Sequence, residues 1–169
     1  MIANADDQLA LCDSYSRARE LVTAMTLTRS PRERILLFLE WGNVCDAPWA
    51  YRNSFAKLLR ESLKQVDLSD VLLAPERAWF SALDPLFKVY RGCEKGRELG
   101  LSWTTDLDVA KKFAIGMRCR NQNPTLVTAY IPKEHVFAVH LDRGESEVAI
   151  DPRRLKRLRK YSDSDTALE

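Results

Sequence analysis

The chain of 169 residues changes from helix-type to strand-type patterning at one point, the Asp84-Pro85 step. Before this step, apolar residues recur at helical spacing. After it, short apolar runs rich in β-branched residues alternate with loops. A block of helices followed by a block of strands predicts an α+β fold, with N-terminal helices packed on a small β-sheet, rather than alternating β–α units.

The first segment, residues 1–85, contains several helix start and stop signals. Ser30-Pro31-Arg32-Glu33 predicts a helix start with a capping box, and Gly42-Asn43 ends that helix. A second helix is predicted from Pro48 to about Gln65, and a third begins near Pro75. Three tryptophans of this segment are expected in the core: Trp41, Trp49 and Trp79.

The second segment, residues 86–152, is predicted to form the sheet. One helix is expected to begin at Thr105-Asp106-Leu107-Asp108, where acidic residues occupy the first turn. The apolar stripe of this helix comprises Val109, Ala110, Phe113, Ala114 and Met117. The predicted strands are Phe87–Tyr90, Thr125–Ile131, Val136–Leu141 and Glu145–Ile150, with a turn at Asp142-Arg143-Gly144 before the last.

The third segment, residues 153–169, begins with six basic residues in the eight positions from Arg153 to Lys160. Two interpretations stay open: a solvated terminal helix, or a docking site for an acidic partner or nucleic acid. The whole chain carries a formal net charge of only +2, which does not by itself indicate nucleic acid binding. We expect the three segments to form one compact domain.

The cysteines and the N-terminus bear on location. Cys12, Cys45, Cys93 and Cys119 form no C-x-x-C pair and have no zinc-ligand spacing, which favours reduced thiols and predicts no metal site. The N-terminus has no basic leader region, and no apolar run reaches the ~18 residues of a membrane span. The expectation is a cytoplasmic protein, of a bacterium or of a cell into which it is delivered, with no membrane partner.

The strongest candidate for chemistry is the pair Glu145 and Glu147. The sequence has no dinucleotide-binding glycine fingerprint, phosphate-binding loop or nucleophile elbow, and His140 is expected to be structural. On the predicted strand, residues two apart point to the same face, so the two carboxylates would lie side by side. The alternative interpretation is the solvated face of an edge strand, where paired acids oppose aggregation.

Three motifs in chain order accompany this pair: YRG at 90–92, LSWTT at 101–105 and GESEVAID at 144–151. Together they resemble the arginine–serine–glutamate branch of the ADP-ribosyltransferase superfamily, which includes cholera-toxin-like enzymes. The resemblance spans Tyr90 to Pro152. The second motif reads Ser-Trp-Thr where the family usually has Ser-Thr-Ser, and ten residues separate Arg91 from Ser102, where many members carry an insert. The resemblance therefore implies a minimal ADP-ribosyltransferase-like sheet core.

The resemblance implies that NAD is the substrate. Glu147 would stabilise the oxocarbenium-like sugar that forms as nicotinamide leaves, and Ser102 would orient Glu147. Arg91 would contact the phosphates or the ribose of NAD. The remaining NAD-binding residues that the resemblance implies are Gly92, Thr104 and Phe113.

The Glu-x-Glu form of the third motif goes, in this family, with arginine acceptors. Glu145 would orient the acceptor guanidinium and take its proton. The resemblance thus implies a mono-ADP-ribosyltransferase that modifies an arginine on a protein target, encoded by a phage or acting as a toxin or effector. Two alternatives stay open: an NAD glycohydrolase on the same scaffold, or a non-enzymatic inhibitor or interaction module.

Overall fold

The computed structural model describes residues 2–45, 48–116, 121–141 and 144–162, which form a mixed α+β fold. Its α-helices are α1 (Ile2–Leu11), α2 (Arg17–Leu27), α3 (Pro31–Trp41), α4 (Pro48–Ser62), α5 (Ala74–Ala82) and α6 (Leu107–Ala114). Its strands are β1 (Leu86–Glu94), β2 (Ser102–Thr104), β3 (Pro124–Pro132), β4 (Val136–His140), β5 (Glu147–Ile150) and β6 (Lys156–Ser162). The strands form one antiparallel sheet in the order β4-β5-β2-β1-β3-β6. The predicted α+β class is confirmed.

Local capping explains where the predicted helices begin. The Ser30 hydroxyl accepts a hydrogen bond from the Glu33 N–H at 3.3 Å, and α3 begins at the following proline. The Asp106 carboxylate caps α6 through the N–H groups of Asp108 and Val109, at 2.8 and 3.2 Å. Helix α4 ends at Ser62 rather than near Gln65, because the chain turns there with the Gln65 N–H bonded to the Ser62 carbonyl.

The sheet separates two helical layers. Helices α1–α5 pack on one face, where side chains such as Ile35 and Phe55 share the core with Trp103 and Val89. Helix α6 packs on the opposite face. It lies against Gly92, which faces the other way from its neighbour Cys93 in the core, because successive strand residues point to opposite faces. A Cβ on Gly92 would lie 1.9 Å from the Ala110 carbonyl oxygen, so the close approach of α6 requires glycine there.

The sheet opens between its two central strands. β1 pairs with β3 along its whole length, from Leu86 to Glu94, but with β2 only at Tyr90 opposite Thr104. Beyond that pair, β1 and β2 diverge, and residues 95–101 connect them. The sheet therefore has a fork at its centre, which we call the β1–β2 fork.

An ion pair between a half-buried arginine and a buried carboxylate joins the helices to the sheet. The Arg60 Nε atom on α4 lies 2.8 Å from the Asp151 Oδ2 atom, directly after β5, and the Asp151 side chain is 2% exposed. The other carboxylate oxygen accepts the Arg153 N–H at 3.1 Å. Burial by itself raises the pKa of Asp151, but the hydrogen bonds from Arg60 and Arg153 outweigh it and hold this pKa below its usual value.

From Lys156 onward the basic run forms a strand, after a short 3-10 turn that contains Arg153 and Arg154, so its interpretation as a terminal helix is wrong. β6 pairs with β3 at the sheet edge, with an irregularity where Arg157 adopts a φ of 53°. Leu155 and Leu158 pack against the core, which gives the run a buried side. Lys160 pairs with the buried Glu98 at 3.1 Å. The run is part of the sheet and was missed as a strand because its partner, β3, lies about thirty residues away in sequence.

Several expectations concern residues outside the described ranges. Cys12, Cys45 and Cys93 are thiols and form no disulfide with one another, whereas Cys119 is not described. Met117 of the predicted stripe, the Asp142-Arg143 step and residues 163–169 also lie outside the description. Among the described helices, none has the length and apolar character that a membrane span requires.

We predict that Asp151→Asn lowers the free energy of unfolding by about 2 kcal/mol at pH 7, because it removes the negative charge that Arg60 pairs with. A lowered carboxyl pKa contributes stability above the unfolded value of about 4, and this contribution is lost as pH falls through the folded value. The difference between wild type and variant should therefore shrink below about pH 4. Urea unfolding across pH measures it, with the exposed Asp84→Asn as control. Equal effects of both variants would contradict a role for the ion pair.

Candidate functional site

A cavity of about 290 Å³ lies at the β1–β2 fork, close to the lower end of the ~300–1,000 Å³ typical of ligand sites. It is bordered by β1, β2, α6 and the segment that leads into β5. The structure brings all the residues that the motifs singled out to this cavity: Arg91, Gly92, Ser102, Thr104, Phe113, Glu145 and Glu147.

A short hydrogen bond in the cavity joins Ser102 to Glu147. The Ser102 Oγ atom donates to the Glu147 Oε1 atom at 2.5 Å. Because Thr104 pairs with Glu147 across β2 and β5, Ser102 is its diagonal neighbour on the same face of the sheet. A hydroxyl bonded to a carboxylate is a strong, directional contact, so Ser102 sets the orientation of the Glu147 carboxyl group.

Arg91 replaces the ladder hydrogen bonds that the fork removes. Its Nη1 atom donates to the Ser102 carbonyl at 2.5 Å, and its Nε atom donates to the Arg97 carbonyl at 3.2 Å. Gly100 makes room for this side chain, since a Cβ there would lie 2.4 Å from the Arg91 Nη2 atom. Arg91 thus holds β2 and the connecting loop in place, and through them the serine that orients Glu147.

Burial lowers the pKa of Arg91 below its usual value, and the nearby Cys93, Glu147 and Glu98 offset this shift only in part. An arginine keeps its charge in proteins, so the cavity contains a cation close to the Glu147 carboxylate. Two of its donors are used on backbone carbonyls, and the guanidinium also contacts the Cys93 side chain.

Glu145 borders the cavity from the turn before β5, and not from a strand position as predicted. It precedes β5, which begins at Glu147, so the expected strand alternation of the two carboxylates is wrong. Between them, Ser146 adopts a φ of 43°, which twists the chain out of strand geometry. The Thr104 hydroxyl donates to the Glu145 carbonyl at 2.5 Å and holds this turn. Glu145 is buried, at 8% exposure, and borders the same cavity as Glu147.

Three of the predicted residues, Gly92, Thr104 and Phe113, also make structural contacts around the cavity. A side chain on Gly92 is excluded by α6, because a Cβ there would clash with the backbone of Ala110 and Ala114, and Gly92 also borders the cavity. Thr104 acts on the backbone of the Glu145 turn and also caps the Asp106 N–H at 3.0 Å. Phe113 is half-buried on α6 and forms part of the cavity wall.

Sequence reasoning missed several residues that border the cavity. Trp49 was expected in the core, yet it lies on the wall of the cavity with the Arg52 guanidinium 3.8 Å from its ring centroid. His140 borders the cavity too, on β4 directly opposite Glu147. Gly100 carried the only local signal, because glycine often marks a close approach to another group. The other two positions depend on strands and helices that meet only in the folded chain.

Comparison with protein-family models, with curated proteins and with solved structures finds no match to this chain. The likeness to ADP-ribosyltransferases therefore depends on the three short motifs alone. Within the described ranges, no group of three or more His, Cys, Asp or Glu side chains could hold a metal ion.

We predict that Arg91→Lys loosens the β1–β2 fork, because an ammonium group cannot reach both the Ser102 and the Arg97 carbonyl. Hydrogen bonds from a charged donor contribute about 1.5–3 kcal/mol, so the free energy of local opening should fall by roughly 2 kcal/mol. Hydrogen exchange of the amides of residues 97–104 measures it. Arg97→Lys, an exposed change on the same loop, is the matched control. Unchanged exchange in Arg91→Lys would refute the structural role of Arg91.

Proposed function

We propose that the protein is an NAD-dependent mono-ADP-ribosyltransferase that modifies an arginine on a protein target. The observation that carries the proposal is the 2.5 Å hydrogen bond from Ser102 to Glu147, two residues that line a cavity also lined by Arg91. This bond presents one oriented carboxylate to a bound ligand. An oriented carboxylate beside a sugar ring is what a reaction with an oxocarbenium-like transition state requires.

The proposed reaction replaces one bond at the sugar with another. The bond between ribose C1 and the nicotinamide nitrogen breaks, and its electron pair leaves with the neutral nicotinamide. Glu147 stabilises the positive charge that develops on the sugar and accepts a hydrogen bond from the ribose 2′-hydroxyl. A guanidinium nitrogen of the acceptor arginine then bonds to C1, and one of its protons passes to Glu145.

The position of Glu145 suits a separate role from that of Glu147. Ser102 engages Glu147, whereas Glu145 belongs to the turn that Thr104 holds, and both border the cavity. An arginine is a weak nucleophile because its guanidinium stays protonated in proteins, so a carboxylate that orients it and accepts its proton assists the transfer. Because Glu145 is buried, the acceptor side chain must enter the cavity to reach it.

Incubation of the protein with labelled NAD and a bacterial lysate tests the proposal. Transfer of label to a protein, together with release of nicotinamide, supports the transferase. Release of nicotinamide without labelled protein would identify an NAD glycohydrolase on this scaffold. No NAD binding by calorimetry would exclude both and favour a non-enzymatic interaction module.

We predict that Glu147→Gln lowers nicotinamide release by ~10²–10³-fold, the loss typical of one preorganised electrostatic group. The amide keeps the size of the side chain and can still pair with Ser102, so the fold should remain intact. Circular dichroism and thermal unfolding verify that the variant is folded. Activity within a few-fold of wild type would refute the assignment of Glu147.

For Glu145→Gln we predict loss of transfer to arginine with retention of NAD hydrolysis, because the change removes the proton acceptor and leaves the Ser102–Glu147 contact in place. The ratio of labelled target to released nicotinamide measures the split. Ser146→Gly is the control, since it relieves the positive φ between the two acids without changing either. Equal loss of both activities in Glu145→Gln would mean that Glu145 acts on NAD itself.

A further inference from the structure

One face of the sheet, on the side away from helices α1–α5, carries tyrosines and bases in neighbouring rows. The strand pairing places these residues on one face, because paired residues and residues two apart point the same way. We call this surface the basic face. Its first row is Tyr90, Thr128 and Arg159, its second row is Lys88, Tyr130 and Lys156, and Arg157 joins it at the irregularity in β6.

The side chains of the basic face are accessible. Its four bases are exposed and its two tyrosines are half-buried. The Lys88 Nζ atom lies 5.0 Å from the Tyr90 ring centroid, and the Arg157 guanidinium lies 5.5 Å from the Tyr130 ring centroid. Each ring is therefore accompanied by a cation on an open surface.

The charge of the basic face is not neutralised within the described parts of the chain. There, Lys88, Lys156, Arg157 and Arg159 make no ion pair, and no carboxylate stands in the two rows. Lys160 differs, since it points to the opposite face and pairs with Glu98. The basic face thus presents four positive charges to a partner.

Protection of an edge strand against aggregation does not account for this pattern. Bases on an edge strand commonly serve that purpose, and this would explain the bases of β6. It does not explain Lys88, which lies on β1 in the interior of the sheet, nor the tyrosine beside it. A cation on an interior strand, next to a half-buried aromatic ring, is typical of a binding surface.

We infer that the basic face binds single-stranded nucleic acid. Exposed lysine and arginine side chains contact the phosphates of such a strand, and aromatic rings stack on its unpaired nucleobases without sequence preference. A duplex offers base edges in its grooves rather than base faces, so it cannot use the tyrosines in this way. An acidic protein surface would use the charges but not the two rings. The inference is independent of the chemistry proposed for NAD.

The test is fluorescence anisotropy of the full chain with labelled oligonucleotides of about 12 nucleotides, a length within the usual site sizes. We expect single strands to bind more tightly than a duplex of the same sequence. With four phosphate contacts, the logarithm of the binding constant should fall with the logarithm of salt concentration with a slope of about −3. No binding at low salt, or equal binding of the duplex, would overturn the inference.

Two variants separate stacking from charge. Tyr130→Leu keeps an apolar side chain but removes the ring, and it should weaken binding by roughly tenfold or more, whereas Tyr130→Phe should bind like wild type. The double change Lys156→Gln with Arg159→Gln lies at exposed positions and should reduce the salt slope by about 1.4, because two contacts are lost. Its matched control is Lys57→Gln with Lys64→Gln, which removes the same charge from exposed positions of the helical half.

Two further outcomes are informative. Glu147→Gln should bind oligonucleotides like wild type, so failure of the NAD chemistry and failure of this inference are distinguishable. If the helical control weakens binding as much as the β6 variant, the attraction is nonspecific and the inference fails. If Tyr130→Leu binds normally and polyglutamate displaces the oligonucleotide, the face is a docking surface for an acidic protein, and nucleic acid is excluded as its specific partner.

Discussion

The β1–β2 fork determines how the rest of the site is built. Neighbouring strands that diverge lose ladder hydrogen bonds, and their buried backbone groups need other partners. Arg91 supplies them from its side chain, which donates to the carbonyls of Ser102 and Arg97. Because a side chain rather than a strand closes the gap, a cavity remains beside it, and Ser102 is held where it orients Glu147.

Two ion pairs stabilise the surroundings of this fork. Arg60 and Asp151 connect α4 to the end of β5, and thereby fix the strand that carries Glu147 relative to the helices. Glu98 and Lys160 connect the loop between β1 and β2 to the edge strand β6. Burial by itself raises the pKa of Glu98, but hydrogen bonds from backbone N–H groups and from Lys160 have the larger effect. They hold this pKa below its usual value, so the carboxylate stays charged.

The sheet also separates its charges in space. The carboxylates of Glu145 and Glu147 border the cavity at the fork, and the four exposed bases lie on the half of the sheet formed by β1, β3 and β6. Tyr90 adjoins both, since it pairs with Thr104 on one side and Thr128 on the other. A polyanion on the basic face would therefore lie next to the cavity but away from the carboxylates, which would repel it.

The sequence by itself determined the features that depend on contacts within one turn of chain, namely the start of α3 at the Ser30 cap and the start of α6 after Asp106. Its patterning also determined that a helical segment precedes the segment that forms the sheet. It also singled out Ser102 and Glu147, which the structure joins by a hydrogen bond. Only the tertiary structure decided that the basic run becomes β6, because a strand needs the ladder of a distant partner. It alone decided that Gly92 accommodates α6, since sequence spacing does not reveal which backbone approaches from across the sheet.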